Sequence, residues 1–99
     1  MKFATICVYS RAADGWRRRI FTNVFVRVLR ALKTEDGGRH TATNLCARIF
    51  SESARSIEPG DKVCIGIGAD EPGEDALTVC EISDNYTLRR GGHIRITAK

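Results

Sequence analysis

The sequence predicts a small closed barrel of β-strands, and two observations indicate it. Apolar and polar residues alternate over several segments, most clearly in residues 22–33, where the valines share one face. Between residues 44 and 68, an alternating strand ends at Phe50, a short polar helix follows, and a Pro-Gly turn leads into another alternating strand. This order of elements is how an OB barrel crosses from its third strand to its fourth. We therefore expect an all-β fold, a small OB-type Greek-key barrel of five to six strands with one short helix between strands 3 and 4.

The expected strands are separated by residues that favour turns. They cover residues 3–9, 16–20 leading into 22–33, 39–50, 63–67, 76–82 and 93–97, and the helix covers residues 51–57. Asp14-Gly15 is a strong hairpin signal after the first strand. Ser51 is a residue that could cap the helix, and Pro59-Gly60 stands where a type II turn requires proline and glycine.

Alternation also assigns the two faces of the longer strands. In the second strand, the face expected to be buried carries Val24, Val26, Val28 and Leu32, and the other carries Asn23, Phe25, Arg27, Leu29 and Lys33. In the third strand, the residues expected to point inward are Leu45, Ala47 and Ile49, and those expected to point outward are Asn44, Cys46, Arg48 and Phe50. In the fourth strand, the residues that share one face are Val63, Ile65 and Ile67.

Length and composition are those of one ordinary globular domain covering residues 1–99. Hydrophobic residues make up 42% of the chain and charged residues 28%, which argues against disorder. No apolar run approaches the roughly 20 residues of a membrane span. The apolar run at residues 3–9 is short for a signal peptide, and Arg11 and Asp14 follow it at once. We therefore expect a cytoplasmic protein with no membrane partner.

The cysteines and histidines do not form a recognisable metal or redox motif. Cys7, Cys46, Cys64 and Cys80 fall singly inside predicted strands, and no Cys-x-x-Cys pair occurs. Four cysteines in a small secreted protein would suggest two disulfides, but we interpret these as small strand residues of a reduced protein. We expect no metal site and no cofactor, because zinc needs pairs of ligands. No nucleophile motif occurs, so we expect no enzymatic activity.

Positive charge is concentrated in the first half of the chain. Residues 1–50 contain ten Lys and Arg against three Asp and Glu, for a net charge of +7. Residues 51–99 contain six against nine, for a net charge of −3. A basic half favours a polyanionic partner such as nucleic acid, and a solvated basic face is the alternative.

One candidate binding surface comes from the outward positions of the second and third strands. These positions carry Phe25, Arg27, Arg48 and Phe50. Adjacent antiparallel strands would gather them into one patch of two aromatic rings and two arginines. Single-stranded nucleic acid is bound by positive charge along its backbone and by flat side chains on which bases stack. The alternative is a dimer interface that buries the two phenylalanines.

A second candidate is Trp16 with Arg17, Arg18 and Arg19. A tryptophan beside three arginines resembles a stacking platform with a phosphate clamp. Alternation places Arg17 and Arg19 on one side of the strand and Arg18 with Trp16 on the other. The alternative is a core tryptophan and a solvated edge of arginines that discourages aggregation.

A third, weaker candidate lies in the polar connection before the last strand. It combines Tyr86 with Arg89, Arg90 and His93. The acidic segment at residues 70–75 could coordinate a cation, but it lacks the ligand spacing of a calcium loop, so we interpret it as a solvated hairpin tip.

Three stretches of the chain carry a resemblance to a known family. They are residues 23–26, an asparagine followed by alternating hydrophobic residues; residues 47–57, a hydrophobic strand, a phenylalanine and a short helix; and residues 59–66, a Pro-Gly turn and a strand. With them the chain resembles the bacterial single-stranded DNA-binding proteins and their smaller relative, primosomal replication protein N. The resemblance extends over roughly residues 3–83 and implies an OB barrel that binds single-stranded DNA.

The chain also departs from this family. The family's third strand opens with a tryptophan that stacks on bases, and the matching position here is Asn44. No aromatic residue lies around Lys33, near the end of the long second strand. In this respect the chain is more similar to primosomal replication protein N, which relies on basic residues and works as a dimer. The same departures would also suit a divergent member of the family from a phage or mobile element.

The function that follows is non-sequence-specific binding of single-stranded DNA, in replication, recombination or repair or as an accessory of a mobile element. RNA is a second possible ligand, and a homodimer or homotetramer is the expected assembly. The alternative is an OB-type assembly or adaptor module that binds proteins and has little affinity for nucleic acid. The missing tryptophan favours this alternative, and the basic first half favours DNA.

Overall fold

The computed structural model of the protein describes residues 2–35, 38–85 and 92–99, and these form six strands and one short 3-10 helix. The elements are β1 Lys2–Ala12, β2 Gly15–Glu35, β3 Gly38–Ile49, the 3-10 helix Glu52–Ser56, β4 Lys62–Ile65, β5 Leu77–Asp84 and β6 Ile94–Ala98. None of the helical structure in these ranges is long and apolar enough to cross a membrane.

The six strands close into a barrel in the order β1-β2-β3-β6-β5-β4, with β4 returning to β1. Every pair of neighbours is antiparallel. A closed ring can be antiparallel throughout only when its number of strands is even, because neighbouring strands must alternate in direction. The 3-10 helix lies in the crossover between β3 and β4. These features confirm the predicted all-β barrel with one short helix between strands 3 and 4.

The long second strand is continuous, but it changes the face that it turns inward. Its pairing with β1 shifts between Ala4 and Ile6, so that Ala4 faces Val24 whereas Ile6 faces Phe21. Asn23 has a φ of +53°, a conformation that asparagine tolerates better than most residues. Phe21 and Val24 are consequently both buried although they are three residues apart. This bulge explains why the alternation before residue 21 is out of phase with the alternation after it.

The interior of the barrel is filled by aliphatic side chains from all six strands. The predicted inward residues of β3 are confirmed, because Leu45, Ala47 and Ile49 are at most 1% exposed. The remaining core residues of the strands include Ile6, Val8, Val24, Val26, Val63, Val79, Ile94, Ile96 and Ala98. Ala54 of the 3-10 helix and the following Ile57 pack against this core, so the crossover adds to the same hydrophobic cluster.

The crossover is held by backbone turns and by one buried carboxylate. Asp61 donates its backbone N–H to the Glu58 carbonyl at 3.1 Å, and Gly60 has a φ of +97°, as the predicted type II turn requires. Ser51 occupies the N-cap position, but its hydroxyl makes no capping hydrogen bond, so that detail of the prediction was wrong. The Asp61 carboxylate instead accepts hydrogen bonds from the Glu58 N–H at 3.0 Å and from the Ser10 hydroxyl at 2.9 Å.

The fourth strand is shorter than predicted, and its last two isoleucines are not buried. Val63 is fully buried, but Ile65 is 50% exposed and Ile67 is 73% exposed. Of the three residues predicted to share one face, only Val63 therefore lies in the core. The strand ends because Gly66 adopts a φ of +92°, which turns the chain out of the barrel wall.

After this turn, the chain folds over the outside of β1. Gly66 donates its N–H to the Thr5 carbonyl at 2.7 Å, and the Tyr9 hydroxyl donates to the Ala69 carbonyl at 2.7 Å. Cys7 and Tyr9 point away from the barrel interior, since Ile6 and Val8 point into it, yet both are at most 1% exposed. Residues 66–75, the outer loop, therefore create a small second buried layer on the outside of the barrel.

The burial of Tyr9 predicts that the free energy of unfolding falls at alkaline pH. Burial raises the pKa of Tyr9 to about 12, and its hydrogen bond with Cys64 adds to the rise. An unfolded tyrosine ionises near pH 10, so the unfolded state releases its proton first and the stability due to Tyr9 is lost between about pH 10 and pH 12. Below pH 10 this stability is fully present.

We expect the wild type and Tyr9→Phe to show crossing stability curves in urea unfolding measured from pH 8 to pH 12. The variant should be about 1 kcal/mol less stable at pH 8, because the Ala69 carbonyl loses its donor. The wild type should then lose about 2–3 kcal/mol more than the variant by pH 12. Lysine ionisation affects both proteins equally. Parallel curves would contradict the burial of this hydroxyl.

Candidate nucleic-acid interface

The outer surface of the barrel carries a row of aromatic and basic side chains across four neighbouring strands. The register places Phe3 of β1 opposite Phe25 of β2, Phe25 opposite Arg48 of β3, and Arg48 opposite Arg95 of β6. Residues directly opposite each other lie on the same face of a sheet. With strands about 4.8 Å apart, this row is roughly 14 Å long. We call these four residues and Arg27 the arginine face.

Arg27 lies beside this row and extends the arginine face along β2. It is two residues beyond Phe25 and opposite Cys46. A shallow groove of about 300 Å³ follows this part of the surface, and its lining residues are Phe25, Arg27, Leu29, Cys46, Arg48 and Arg95. The structure therefore brings together three of the four residues predicted for this surface.

The arginines of this face have no acidic partner among the residues that the structure describes. Arg27, Arg48 and Arg95 are all exposed, and none makes a hydrogen bond or an ion pair with a residue that the structure describes. Glu81 of β5 lies opposite Thr97, at the border of the face. Like charges directly opposite on adjacent strands destabilise a sheet, so the Arg48–Arg95 pair costs the fold some stability. Such a cost is expected where a surface is adapted to a ligand rather than to folding.

The aromatic end of the row is exposed enough to contact a ligand. Phe3 is 63% exposed, and its ring centroid lies 5.0 Å from that of Phe25 at an angle of 56°. The two rings thus form a tilted pair of the kind that aromatic side chains prefer. They leave apolar surface accessible beside the guanidinium groups. Flat apolar surface next to positive charge is what a stacked base and its phosphate require.

Phe50, the fourth predicted residue, lies just beyond the end of β3. It is 50% exposed, and its ring centroid is 5.8 Å from that of His93. It borders a different groove, which is lined by Ile20, Phe21, Thr22, Asn23, Ser51 and Ser53. Phe50 follows Arg48 by two residues, and His93 precedes Arg95 by two residues. They therefore lengthen the surface in the direction opposite to Arg27.

Sequence reasoning missed Phe3 and Arg95 as members of this face. Ile94 and Ile96 alternate with Arg95, so its outward orientation was visible in the sequence. Its position next to Arg48 was not, because that depends on the pairing of β6 with β3. Phe3 was assigned to the first strand, and nothing local distinguishes it from a core residue.

Comparison with known proteins assigns no family to this geometry. No protein-family model matches the sequence, and no curated protein matches it. The resemblance to single-stranded DNA-binding proteins therefore depends on the three motifs alone.

Trp16 and Arg18, from the second predicted cluster, lie on the outside of the barrel and are engaged by the protein itself. The Arg11 guanidinium lies 4.6 Å from the centroid of the Trp16 ring. Arg18 donates a hydrogen bond to the Gly68 carbonyl and lies 3.7 Å from the Asp70 carboxylate. The two Arg18 contacts hold the outer loop against the β1–β2 hairpin, whereas the Arg11–Trp16 contact lies within the hairpin itself.

Arg19 lies on the other face and connects β2 to the crossover. Its guanidinium donates to the Ser53 carbonyl at 3.1 Å, to the Ser10 hydroxyl at 3.2 Å and to the Ser56 hydroxyl. Burial lowers the pKa of Arg19 below the ordinary arginine value, and the neighbouring Arg17 lowers it further. Arg17 itself is exposed and has no partner among the described residues. The predicted split of Arg17 and Arg19 from Arg18 agrees with these contacts.

The third predicted cluster lies mostly outside the described residues, which do not include Tyr86, Arg89 and Arg90. In the ranges that the structure describes, no three His, Cys, Asp or Glu side chains are placed to hold a metal ion. All four cysteines are free thiols.

The contacts of Arg19, which Arg17 lacks among the described residues, predict unequal effects of two otherwise similar substitutions. Arg19→Ala should destabilise the fold by about 1–3 kcal/mol, because it removes charge-assisted hydrogen bonds that join β2 to the crossover. Arg17→Ala removes the same charge from the same face two residues away and should change stability by less than about 0.5 kcal/mol. Urea unfolding of both variants checks this. Equal losses of stability would show that the Arg19 contacts contribute nothing specific.

Proposed function

We propose that this protein binds single-stranded DNA without sequence preference through the arginine face. The observation that carries the proposal is the pair Arg48 and Arg95, two exposed arginines placed directly opposite each other with no acidic partner among the described residues. A phosphate between them would replace repulsion by two charge-assisted contacts. Folding alone gives no reason for this arrangement.

The arginine face supplies both parts of single-strand recognition. The guanidinium groups of Arg27, Arg48 and Arg95 would neutralise backbone phosphates, and the rings of Phe3 and Phe25 would stack on unpaired bases. Stacking requires an accessible base face, which a duplex does not present. Phosphates and base faces are common to every nucleotide, so binding through them would be independent of sequence.

The proposal also includes the cellular location, family and process that the three motifs imply. The protein would act in the cytoplasm as a divergent member of the single-stranded DNA-binding and primosomal replication protein N family, in replication, recombination or repair or for a mobile element. It would work as a homodimer or homotetramer and would catalyse no reaction. RNA shares the phosphates and base faces that this surface would contact, so RNA binding is an outcome that the test must include.

A protein-binding module is the second candidate, and two observations favour it. Leu29, which lines the groove beside the arginines, is 50% exposed. The end of the barrel opposite the crossover also has a cavity of about 310 Å³, with Ile65 half exposed at its rim. Exposed apolar surface of this kind is frequent where proteins associate.

Fluorescence anisotropy of labelled oligo-dT tests the proposal, with duplex and oligo-U of equal length measured in parallel at two salt concentrations. We expect Arg48→Ala and Arg95→Ala each to weaken binding at least about fivefold and to lower the salt slope by about 0.7, the value for one single-strand phosphate. Phe25→Ala should weaken binding about tenfold with little change in the slope, because a stacked base is worth about 1–3 kcal/mol.

Arg17→Ala is the matched control, since it removes one exposed positive charge from β2 outside the arginine face. It should change binding by less than about twofold. Thermal unfolding serves as the second control: Arg48→Ala should be at least as stable as the wild type, because it relieves the repulsion by Arg95. Equal weakening by Arg17→Ala, or no binding at low salt, would contradict the proposal and favour the protein-binding module.

A further inference from the structure

Two cysteines on neighbouring strands face each other on the side of the barrel away from the arginine face. Cys7 of β1 is directly opposite Cys64 of β4. The Gly66 N–H donates to the Thr5 carbonyl at 2.7 Å, which marks residues 5 and 66 as a hydrogen-bonded pair. Opposite pairs alternate between hydrogen-bonded and non-hydrogen-bonded along an antiparallel ladder. Cys7 and Cys64 lie two positions from Thr5 and Gly66, so they also form a hydrogen-bonded pair.

This register puts the two thiols within reach of a disulfide. The Cα atoms of a hydrogen-bonded antiparallel pair are about 5.5 Å apart, and disulfides join Cα atoms that are roughly 4.4–6.8 Å apart. Both side chains leave the sheet on its outer face, because Ile6 and Val8 on either side of Cys7 point into the core. The Cβ atoms of such a pair are about 5.5 Å apart, against about 3.5–4.5 Å in a disulfide, so the two strands must draw together by about 1 Å when the bond forms.

The outer loop covers this pair of thiols. The Gly68 N–H donates to the Cys7 sulfur at 3.2 Å, and the Tyr9 hydroxyl lies 4.0 Å from the Cys64 sulfur. A methyl group added to Gly68 would lie 3.0 Å from the Cys64 sulfur, so the loop backbone rests directly on the pair. Cys7 has no exposed surface. Burial also raises the pKa of the Cys64 thiol, which disfavours the reactive thiolate while the loop is closed.

We propose that Cys7 and Cys64 are a dithiol site that a low-molecular-weight disulfide oxidises to a cross-strand disulfide when the outer loop lifts. The thiolate of Cys64 attacks one sulfur of the small disulfide, forms a mixed disulfide and releases one small thiol. The Cys7 thiolate then attacks the Cys64 sulfur, closes the intramolecular bond and releases the second small thiol. The two protein thiols are oxidised, and one small disulfide is reduced to two thiols.

Two side chains control the opening of the loop. The Tyr9 hydroxyl holds the Ala69 carbonyl at 2.7 Å, and Arg18 holds the Gly68 carbonyl and lies near Asp70. Loss of either contact should raise the population of the open loop. The rate of oxidation in the folded protein therefore reports on these two contacts. The site does not depend on nucleic-acid binding, because β1 and β4 meet outside the arginine face.

The test uses a Cys46→Ser, Cys80→Ser variant, which leaves only the proposed pair. The folded protein is incubated with oxidised glutathione at pH 8, quenched with acid and examined by intact mass and peptide mapping. We expect loss of two hydrogens and a cross-link between the peptides that contain Cys7 and Cys64. Adding Cys7→Ser should instead leave a stable glutathione adduct on Cys64, because the second exchange has no thiol.

Adding Tyr9→Phe or Arg18→Ala to the two-cysteine protein tests the control by the loop. Each should oxidise about fivefold faster than the parent, the factor that corresponds to about 1 kcal/mol of loop stability. Circular dichroism establishes that each variant is folded. If only one of the two variants folds, that variant alone is sufficient to test the control by the loop. A glutathione adduct on Cys64 that persists while Cys7 is present, or two thiols that stay free until the protein is unfolded in urea, would overturn the proposal. Rates equal to that of the parent in both variants would overturn the control by the loop.

Discussion

Closure of the barrel is the constraint on which the rest of this structure depends. A closed antiparallel ring has no free sheet edge along its paired length, and each strand must turn alternate residues into one shared interior. Aliphatic residues of all six strands fill that interior. Any chemistry must therefore lie on the outer surface or at the ends of the barrel. The two outer surfaces differ: one presents arginines that have no partner in the described ranges, and the other is covered by residues 66–75.

A single irregularity decides which basic residues belong to which surface. The shift in the β1–β2 pairing and the positive φ of Asn23 reverse the inward face of β2. Before the bulge, Arg19 turns toward the crossover and bonds to its serines. Beyond the bulge, Phe25 and Arg27 turn outward onto the face shared with β3 and β6. The bulge thus separates Arg19, which bonds to the crossover, from Arg27, which lies on the arginine face.

Local pattern was enough to predict the class of fold, the position of the helix and the faces of β3. It was not enough where a turn or a distant part of the chain decides the outcome. Ile65 and Ile67 continue a regular alternation, but Gly66 turns the chain out of the wall, so they are exposed. Arg19 was predicted to bind nucleic acid, and its bonds to serines 34 and 37 residues away could not be found from a local pattern. The contact of Arg48 with its neighbour on β6 likewise depends on pairing that no short motif encodes.

The central claim is that single-stranded DNA occupies the arginine face, and nuclear magnetic resonance locates the ligand most directly. In a titration of isotope-labelled protein with oligo-dT, the side-chain Nε–H signals of Arg27, Arg48 and Arg95 should shift together, with the backbone signals of Phe25. The Nε–H signal of Arg19 should stay unchanged, because this Nε is buried and the two terminal nitrogens of the guanidinium are already bonded within the protein. Shifts confined to the open end of the barrel around Ile65, or no shifts at low salt, would contradict the account.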